Sequence, residues 1–552
     1  MEPLSDDQLD ALPKEAVIVL YKAVFGQLAV LQKQNDDIRK KMDNLQEQVS
    51  VLLQRQFGRK SEKTQTDGQL SFDLDNNAVV LNEAEQLADS GIPEELSEAE
   101  VITYTRKKAA GKREADLRGL ETIEEPATEL PEEKLRELFP NGYKRLPDQV
   151  YPKLEFIPAR FAVHYYHIAV YADKRNEGII VRADHPNELL PKSLLSESLA
   201  AGVINEKYIN AVPLARYSSE LGRSYGVRIS RQTMAGWIIE LHKRYLYKIY
   251  DRMRIWIIRG RLIHCDETPF KLIHSPGQTP GSNHKSYMRV YHTHEDYGSP
   301  PIYLYCYCDG RSSDYPREFL KDFNGILVTD GYQVYHSLAK SREGLTVAGC
   351  WVHAKRKFSI LCRAEGAEKS KGTVAEEAVR RIAAIFHAEH QCRAKSPDDK
   401  LAYRNKTVRP LVDSYFAWLK MVQPGYDKGS QTGIAITYSL NQEPFLRAFL
   451  NNPIIPLSNN DAERSIRKFV VGRKNWVIID SVNGANASAC LYSIAETAKA
   501  NGLRPYNYFK YVLETMTAHI GDNDESYIDD LLPWSDKLPD ECRIINISKA
   551  SS

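Results

Sequence analysis

The sequence predicts a multidomain α/β protein. A mixed sheet interrupted by a helical insertion forms its core, and a coiled coil, a small β-rich module and a helix-turn-helix region precede that core. Three observations carry this reading. Five consecutive heptads run along the N-terminal region. Residues 251–334 alternate strand-like apolar runs with one helix-like segment, and two of the strands carry an acid. Finally, 552 residues with 42% apolar and 27% charged content are enough for several domains, each with a sizeable core.

Composition narrows the function classes. The formal net charge is +1, so there is no overall nucleic-acid signature, and local patches matter more than the sum. None of the eight cysteines precedes Cys265 and no CxxC pair occurs, which predicts a reducing cytoplasm rather than a secreted disulfide framework. No signal peptide is visible. No apolar run approaches the roughly 18 residues that a membrane span needs, so no membrane partner is expected.

Residues 14–63 form the expected coiled coil with a basic end. One register holds Tyr21, Leu28, Asn35, Met42 and Val49, and the other holds Val24, Leu31, Ile38, Leu45 and Leu52. Sustained 3.5-residue spacing argues for a coiled coil, and a buried Asn35 could pair with its copy across a parallel dimer. A homodimer or higher oligomer is therefore expected. A helix packed on its own domain is the alternative. Arg55, Arg59, Lys60 and Lys63 at the helix end could touch phosphates or simply close a solvated helix.

Residues 64–117 read as a flexible linker, first acidic and then basic. Thr64 to Thr105 contains ten acids and no Lys or Arg, and Arg106 to Arg113 is a short basic tract. Residues 118–190 read as the β-rich module, because Leu154 to Tyr171 is rich in β-branched and aromatic residues. His164 and His167 in that run are expected on a strand surface, since zinc wants four ligands and no cysteine is near.

Residues 191–250 turn helical. Ala215 to Ile238 reads as a helix, a turn at Gly226, then a second helix capped by Ser230. That is a helix-turn-helix pattern, with Arg231, Gln232 and Thr233 leading the second helix as candidate DNA contacts. A plain packing unit is the alternative.

Residues 251–334 carry the first part of the core. Arg261-Leu-Ile-His-Cys-Asp-Glu-Thr-Pro-Phe270 reads as a buried strand with two acids in it. An unpaired buried charge costs several kcal/mol, so carboxylates are not placed there for stability. Strand alternation puts Glu267 on the face opposite Asp266, and Thr268-Pro269 reads as the strand's end. Two strands follow, Ser286 to His292 and Pro301 to Cys308, then a helix from Arg317 to Phe323 and a strand ending at Asp330. Three strands, a helix and a fourth strand, with acids on the first and fourth, match a ribonuclease-H-like sheet.

Residues 335–455 read as the mostly helical insertion, with Ala375 to Ala388 and Leu440 to Leu450 as clear helices. Residues 456–520 hold the core's final helix and further helices, and 521–552 form a C-terminal tail. Ser458 is expected to cap the final helix, with Asp461 completing a near capping box and Glu463 in its first turns.

The candidate catalytic and metal-holding residues are thus Asp266, Asp330 and Glu463. Two Mg²⁺ or Mn²⁺ ions roughly 3.5–4 Å apart activate one oxygen and stabilise another in phosphodiester displacement. Such hard ions want carboxylate oxygens. Asp266 is assigned the bridging position, Asp330 one ion and Glu463 the other. Arg464, Arg467, Arg473 and Lys474 could hold substrate phosphates. Each acid also has a plain alternative: a Glu463–Arg467 surface pair, turn chemistry at Asp330-Gly331, or a turn cap at Asp266.

Several blocks carry a resemblance. They are His264-Cys-Asp-Glu-Thr-Pro269, Thr329-Asp-Gly-Tyr-Gln-Val-Tyr335, Gly349-Cys-Trp-Val-His-Ala-Lys-Arg-Lys-Phe358 and Asn459-Asn-Asp-Ala-Glu-Arg-Ser-Ile-Arg467. Val471 to Trp476, Tyr492 to Lys499, Leu532-Pro-Trp534, Phe57 to Glu62 and Tyr151 to Arg160 extend it over nearly the whole chain. The sequence resembles transposases of the insertion-sequence sixty-six family, which are DDE enzymes. The resemblance implies a metal-dependent bacterial enzyme, cytoplasmic and nucleoid-associated, that cuts and joins DNA at element ends. It implies double-stranded DNA as partner, both terminal repeats and target, and admits accessory proteins of the same element. It carries the family's three acids onto Asp266, Asp330 and Glu463. His353 and Arg356 fall in the block like the family's tryptophan-histidine-basic motif, which implies support of the acids or contact with DNA, with plain helix surface as the alternative.

One departure stands out. Relatives carry two cysteine pairs in a zinc module, but the corresponding stretches here, Leu138 to Gly142 and Tyr171 to Asn176, contain none. No zinc is expected, and the module should be held by its apolar core alone. A non-catalytic dimeric DNA-binding protein derived from a transposase is the alternative function. A simple ribonuclease-H-like nuclease would leave the coiled coil and the helix-turn-helix without a purpose.

Overall fold

A helix of 44 residues, Lys14–Phe57, opens the described part of the chain. The computed structural model describes residues 13–57, 129–141, 144, 160–172, 180–275, 285–366, 368–392 and 396–544. The expected linker at 64–117 and the basic end beyond residue 57 lie outside them. The apolar side chains of both heptad registers, Tyr21 through Leu52, are exposed. The helix docks by another face near its end. Val51 is buried there in the helical region's core, and Glu47 accepts hydrogen bonds from the backbone N–H groups of Gln431 (3.0 Å) and Thr432 (3.1 Å). The stretch Lys14–Asn35 does reach the length and apolar composition of a membrane span. This corrects the expectation from unbroken runs, because Lys22 interrupts the sequence without lowering the average enough to matter.

The β-rich module differs from expectation. Its described part holds a short helix, Glu132–Leu138, and two antiparallel strands, β1 (Val170–Ala172) and β2 (Ile180–Arg182). Residues 160–169, read as strand, form no regular element, and His164 and His167 are exposed there. Among the described residues of 129–188 none is buried, so this part is not held by an apolar core of its own. Three-residue ladders bury too little apolar area for that. Phe161 instead packs edge-on against Tyr225 at 5.1 Å.

Tyr225 ends helix Leu214–Tyr225, which stops at Gly226 in the left-handed region (φ 70°), where a residue lacking Cβ pays no steric penalty. Ser230 then caps helix Arg231–Leu241, its side chain accepting from Thr233 N at 3.0 Å. Met234, Ile238 and Leu241 are buried at helical spacing, which leaves Arg231, Gln232 and Thr233 exposed at the start. Helix Tyr247–Ile258 follows and absorbs the apolar run before the first core strand.

The core sheet has five strands. β3 (Leu262–Phe270) lies at its centre; β4 (Leu272–His274) leaves it; β5 (Ser286–Thr293), β6 (Ile302–Cys308), β7 (Ile326–Thr329) and β8 (Thr346–Gly349) complete it in the order β6-β5-β3-β7-β8. β3–β5 and β5–β6 are antiparallel, and β3–β7 and β7–β8 are parallel. The crossover into β7 uses helix Asp314–Phe319, which starts three residues and ends four residues earlier than read from sequence. β8 lies where the sequence reads as helix. Four residues, Thr-Val-Ala-Gly, are too few to show a period.

β3 also continues through Thr268-Pro269, paired with Met288 and Tyr287. Past His264 only β5 flanks it, so proline sits where one side of the strand is an edge. β4 pairs in parallel with β9 (Ile479–Ser481), tying the end of β3 to the chain just after helix Asn460–Trp476.

The sheet's two faces pack against different layers. On the face of Ile263, Cys265 and Leu327, Cys265 Sγ meets Tyr335 OH at 2.6 Å and its strand partner Tyr291 stacks on Phe319, so helices Asp314–Phe319 and Gln333–Lys340 cover it. Leu262, Val328 and Ala348 join the core of the helical region, built around Trp351, Tyr415 and Phe416. Edge strand β6 is sealed by a helix: Ser493 and Thr497 accept from Tyr305 N (2.8 Å) and Tyr303 N (3.0 Å). Residues 440–450 are not one helix. Helix Gln431–Asn441 ends there, and Pro444 starts a four-residue helix, Glu443–Leu446.

Candidate functional site

Register brings the first two acids together. The last parallel pair of β3 and β7 is His264 with Val328. Two residues further on, Asp266 stands within β3 on the face of Leu262, and Asp330 directly follows Thr329, the last residue of β7. The face of Leu262 is the one the helical region covers. Glu463, in the first turn of helix Asn460–Trp476, approaches the same place and is buried at 4% exposure.

The three acids are coupled electrostatically. Burial pushes the Asp266 carboxyl well above the usual carboxylate range, and the charges of Asp330 and Glu463 push it further. His353 and the backbone N–H of Glu267, which donates to Asp266 Oδ1 at 2.8 Å, act in the opposite direction. Glu267 itself points to the other face. There it accepts from Arg289 Nε at 2.9 Å and Arg311 Nε at 2.5 Å.

Asp330 is fixed from several sides. Its Oδ1 accepts from Thr329 Oγ1 and from Tyr332 N, both at 3.1 Å, and Tyr438 OH donates to its backbone oxygen at 2.7 Å. Gly331 adopts φ 97°, and a Cβ there would meet Tyr438 OH and the Gln442 side chain at 3.0 Å. Only glycine fits that turn. A cleft of about 350 Å³ opens here, lined by Arg311, Asp330, Tyr332, Lys357 and Tyr438.

Glu463 is held by helix Trp351–Glu365. Arg356 Nη2 donates to its Oε2 at 2.9 Å, and His353 Nδ1 lies 3.6 Å from its Oε1. His353 and Arg356 therefore stand at the third acid, not on a plain helix surface. Among the described residues, the ligand-type atoms that lie within 4.8 Å of one another are those of Cys350, His353 and Glu463.

The other candidates are dispersed. Arg464 is exposed and pairs with Asp461 at 2.6 Å. Arg467 and Arg473 are half-buried and Lys474 is exposed. Arg473 Nη1 donates to the backbone oxygen of Pro269. Arg231, Gln232 and Thr233 lie on the separate helix pair described above.

Sequence reasoning missed Asn459. Ser458 does not cap the final helix; Asn459 stands at the cap position, and its side chain is used elsewhere. Its Nδ2 donates to Cys265 O at 2.7 Å, its Oδ1 meets His264 Nδ1 at 2.9 Å, and its backbone N–H donates to Cys350 Sγ at 3.1 Å. This fully buried residue fastens the helix bearing Glu463 to the strand bearing Asp266. Arg311 and Lys357, beside Asp330, were also missed. Lys357 was visible only as the last of three basic residues, Lys355 to Lys357.

Comparison with known proteins gives three family matches. Residues 192–487 match the model described as "Transposase IS66 family", residues 493–534 match "IS66 C-terminal element", and residues 44–133 match "Transposase C of IS166 homeodomain". Among curated relatives, the uncharacterized protein y4qI of Sinorhizobium fredii is 28% identical over 97% of this chain and 98% of its own length. The uncharacterized protein y4jD of the same organism is 27% identical over 71% of this chain and 76% of its own.

Proposed function

Because the chain belongs to the IS66 family of transposases, we propose that it is a DNA transposase that cuts and joins strands at the ends of an insertion sequence. In this reading Asp266, Asp330 and Glu463 hold two Mg²⁺ or Mn²⁺ ions within a ribonuclease-H-like core, and the protein works in the bacterial cytoplasm. The observation that carries the proposal is the electrostatic coupling of Asp266, on β3, to Asp330, just past the end of the neighbouring strand, and to Glu463, at the start of a helix.

The donor set fits. All three groups offer hard oxygen ligands, and Glu463 Oε1 accepts no hydrogen bond among the described residues. Ligands of two different ions stand farther apart than ligands of one, so these acids need not form one tight cluster. When bound, the ions would supply Lewis-acid activation of the attacking oxygen and stabilisation of the leaving oxygen.

The chain's own residues do the rest. Arg356 orients Glu463, and Asn459 holds that helix against β3. Tyr438 and Gly331 set the backbone at Asp330. Arg311 and Lys357, in the cleft beside Asp330, suit backbone phosphates. Arg231, Gln232 and Thr233, exposed at a helix start, suit duplex DNA further along.

Incubating the full chain with labelled element-end DNA and Mg²⁺ or Mn²⁺ tests this. Cleaved and strand-transferred products are expected, and Asp330→Asn should abolish both. Binding without cleavage would favour a non-catalytic DNA-binding protein, and cleavage without joining a simple nuclease.

A further inference from the structure

The segment just past β8 is stitched to the start of the Glu463 helix by two hydrogen bonds, one between backbones and one from a backbone N–H to a side chain. Trp351 N donates to Leu457 O at 2.9 Å, and Asn459 N donates to Cys350 Sγ at 3.1 Å. Cys350 immediately precedes helix Trp351–Glu365, and His353 follows it by three residues. Glu463 lies one helical turn past Asn459. The stitching thus gathers a sulfur, an imidazole nitrogen and a carboxylate oxygen within 4.8 Å of one another, all from buried residues.

The spacing suits one small ion. His353 Nδ1 and Glu463 Oε1 are 3.6 Å apart. Two ligands of a tetrahedral ion with bonds of about 2.1 Å stand roughly 3.4 Å apart. Arg356 occupies Oε2 of Glu463, which leaves Oε1 on the His353 side for an ion. The thiolate's charge offsets the nearby guanidinium, and the Asn459 N–H aimed at the sulfur stabilises the thiolate form.

The chemistry differs from that of three carboxylates. Mg²⁺ binds oxygen and avoids sulfur, whereas a thiolate, an imidazole and a carboxylate together select a borderline ion. We propose that Cys350, His353 and Glu463 form a separate site for one Zn²⁺-type divalent ion, with water as the fourth ligand. Binding releases the Cys350 thiol proton to solvent. Because Glu463 belongs to both sets, Zn²⁺ bound here withdraws it from the carboxylate site and inhibits; that consequence alone rests on the transposase reading.

Cobalt(II) titration of the metal-free full chain tests the site without DNA. A near-ultraviolet thiolate-to-cobalt band and tetrahedral visible bands should saturate at one equivalent and vanish on adding Zn²⁺. Cys350→Ser should remove the near-ultraviolet band. His353→Gln, which keeps the thiol, should weaken cobalt binding by more than about tenfold. Absence of the band in the wild-type chain, or its persistence in folded Cys350→Ser, would overturn the proposal, since seven other cysteines are present. Should Cys350→Ser not fold, unchanged affinity in His353→Gln overturns it alone. Loss of DNA cleavage on adding Zn²⁺ is a separate readout: a chain with the cobalt signature but no cleavage refutes the transposase reading and leaves the site standing.

Discussion

Arg356 donates to Glu463 at 2.9 Å across 107 residues of sequence, and both side chains are largely withdrawn from solvent. Removing the guanidinium strands a buried carboxylate, which costs on the order of 3 kcal/mol. Arg356→Ala should therefore lower the unfolding midpoint, followed by circular dichroism. Adding Glu463→Gln in the same chain should recover most of the loss, because a neutral amide no longer needs the partner. An equal loss in the single and double variants would show that the pair does not carry this energy.

Asp266 sets a pH dependence. Burial first, then the charges of Asp330 and Glu463, raise its pKa in the folded chain. A carboxyl that holds its proton more tightly when folded makes stability fall as pH rises from the ordinary carboxyl range towards the folded pKa, and the deficit persists above it. Ionising the folded carboxyl costs free energy, and a divalent cation bound to the carboxylate should relieve that cost. Asp266→Asn should raise the midpoint in chelator at pH 7 and flatten this fall. Mg²⁺ should raise the midpoint of the wild-type chain and leave that of Asp266→Asn unchanged; an equal rise in both would place the cation elsewhere.

The acids were legible because their setting is local. Asp266 interrupts an apolar strand, Asp330 directly follows one, and period-two alternation already sends Glu267 to the face where Arg289 and Arg311 meet it. Of what holds the acids, the resemblance pointed to His353 and Arg356, and the rest was not legible. Asn459 bonds to residues nearly two hundred positions away, and Tyr438 reaches Asp330 across 108. Such partners leave no periodic trace. β8 escaped for a different reason, being four residues between two helices. The module at 118–190 misled because β-branched and aromatic composition registers a preference for strand, while the burial that fixes a strand is missing from its described part.

Glu47 links the N-terminal helix to this site. It accepts from the first two backbone N–H groups of helix Gln431–Asn441 and from the Thr432 hydroxyl, and the same helix carries Tyr438 to Asp330. Loss of a carboxylate at a helix start costs about 1 kcal/mol. Glu47→Ala should speed amide hydrogen exchange at Gln431 and Thr432 and lower the midpoint slightly. Protection unchanged at those amides would mean that the contact is not maintained in solution.

The heptad stripe gives the last prediction. Docking through Glu47 and Val51 uses one face of helix Lys14–Phe57, yet Leu31 and Leu45 remain 62% and 61% exposed. So long a row of exposed apolar side chains is costly in water unless another chain covers it. Heptad spacing with Asn35 in one register suits a second copy in a parallel coiled coil. The full chain should therefore sediment as a dimer or larger assembly, and Leu31→Glu with Leu45→Glu should make it a monomer. Because the stripe faces away from the docked surface, the midpoint of the remaining domains should stay unchanged in that monomer. Asn35→Leu should tighten association while admitting additional oligomeric states, since the buried amide pair restricts strand number at some cost in stability. A wild-type chain that sediments as a monomer would leave the stripe to a different partner and remove the dimer from the mechanism.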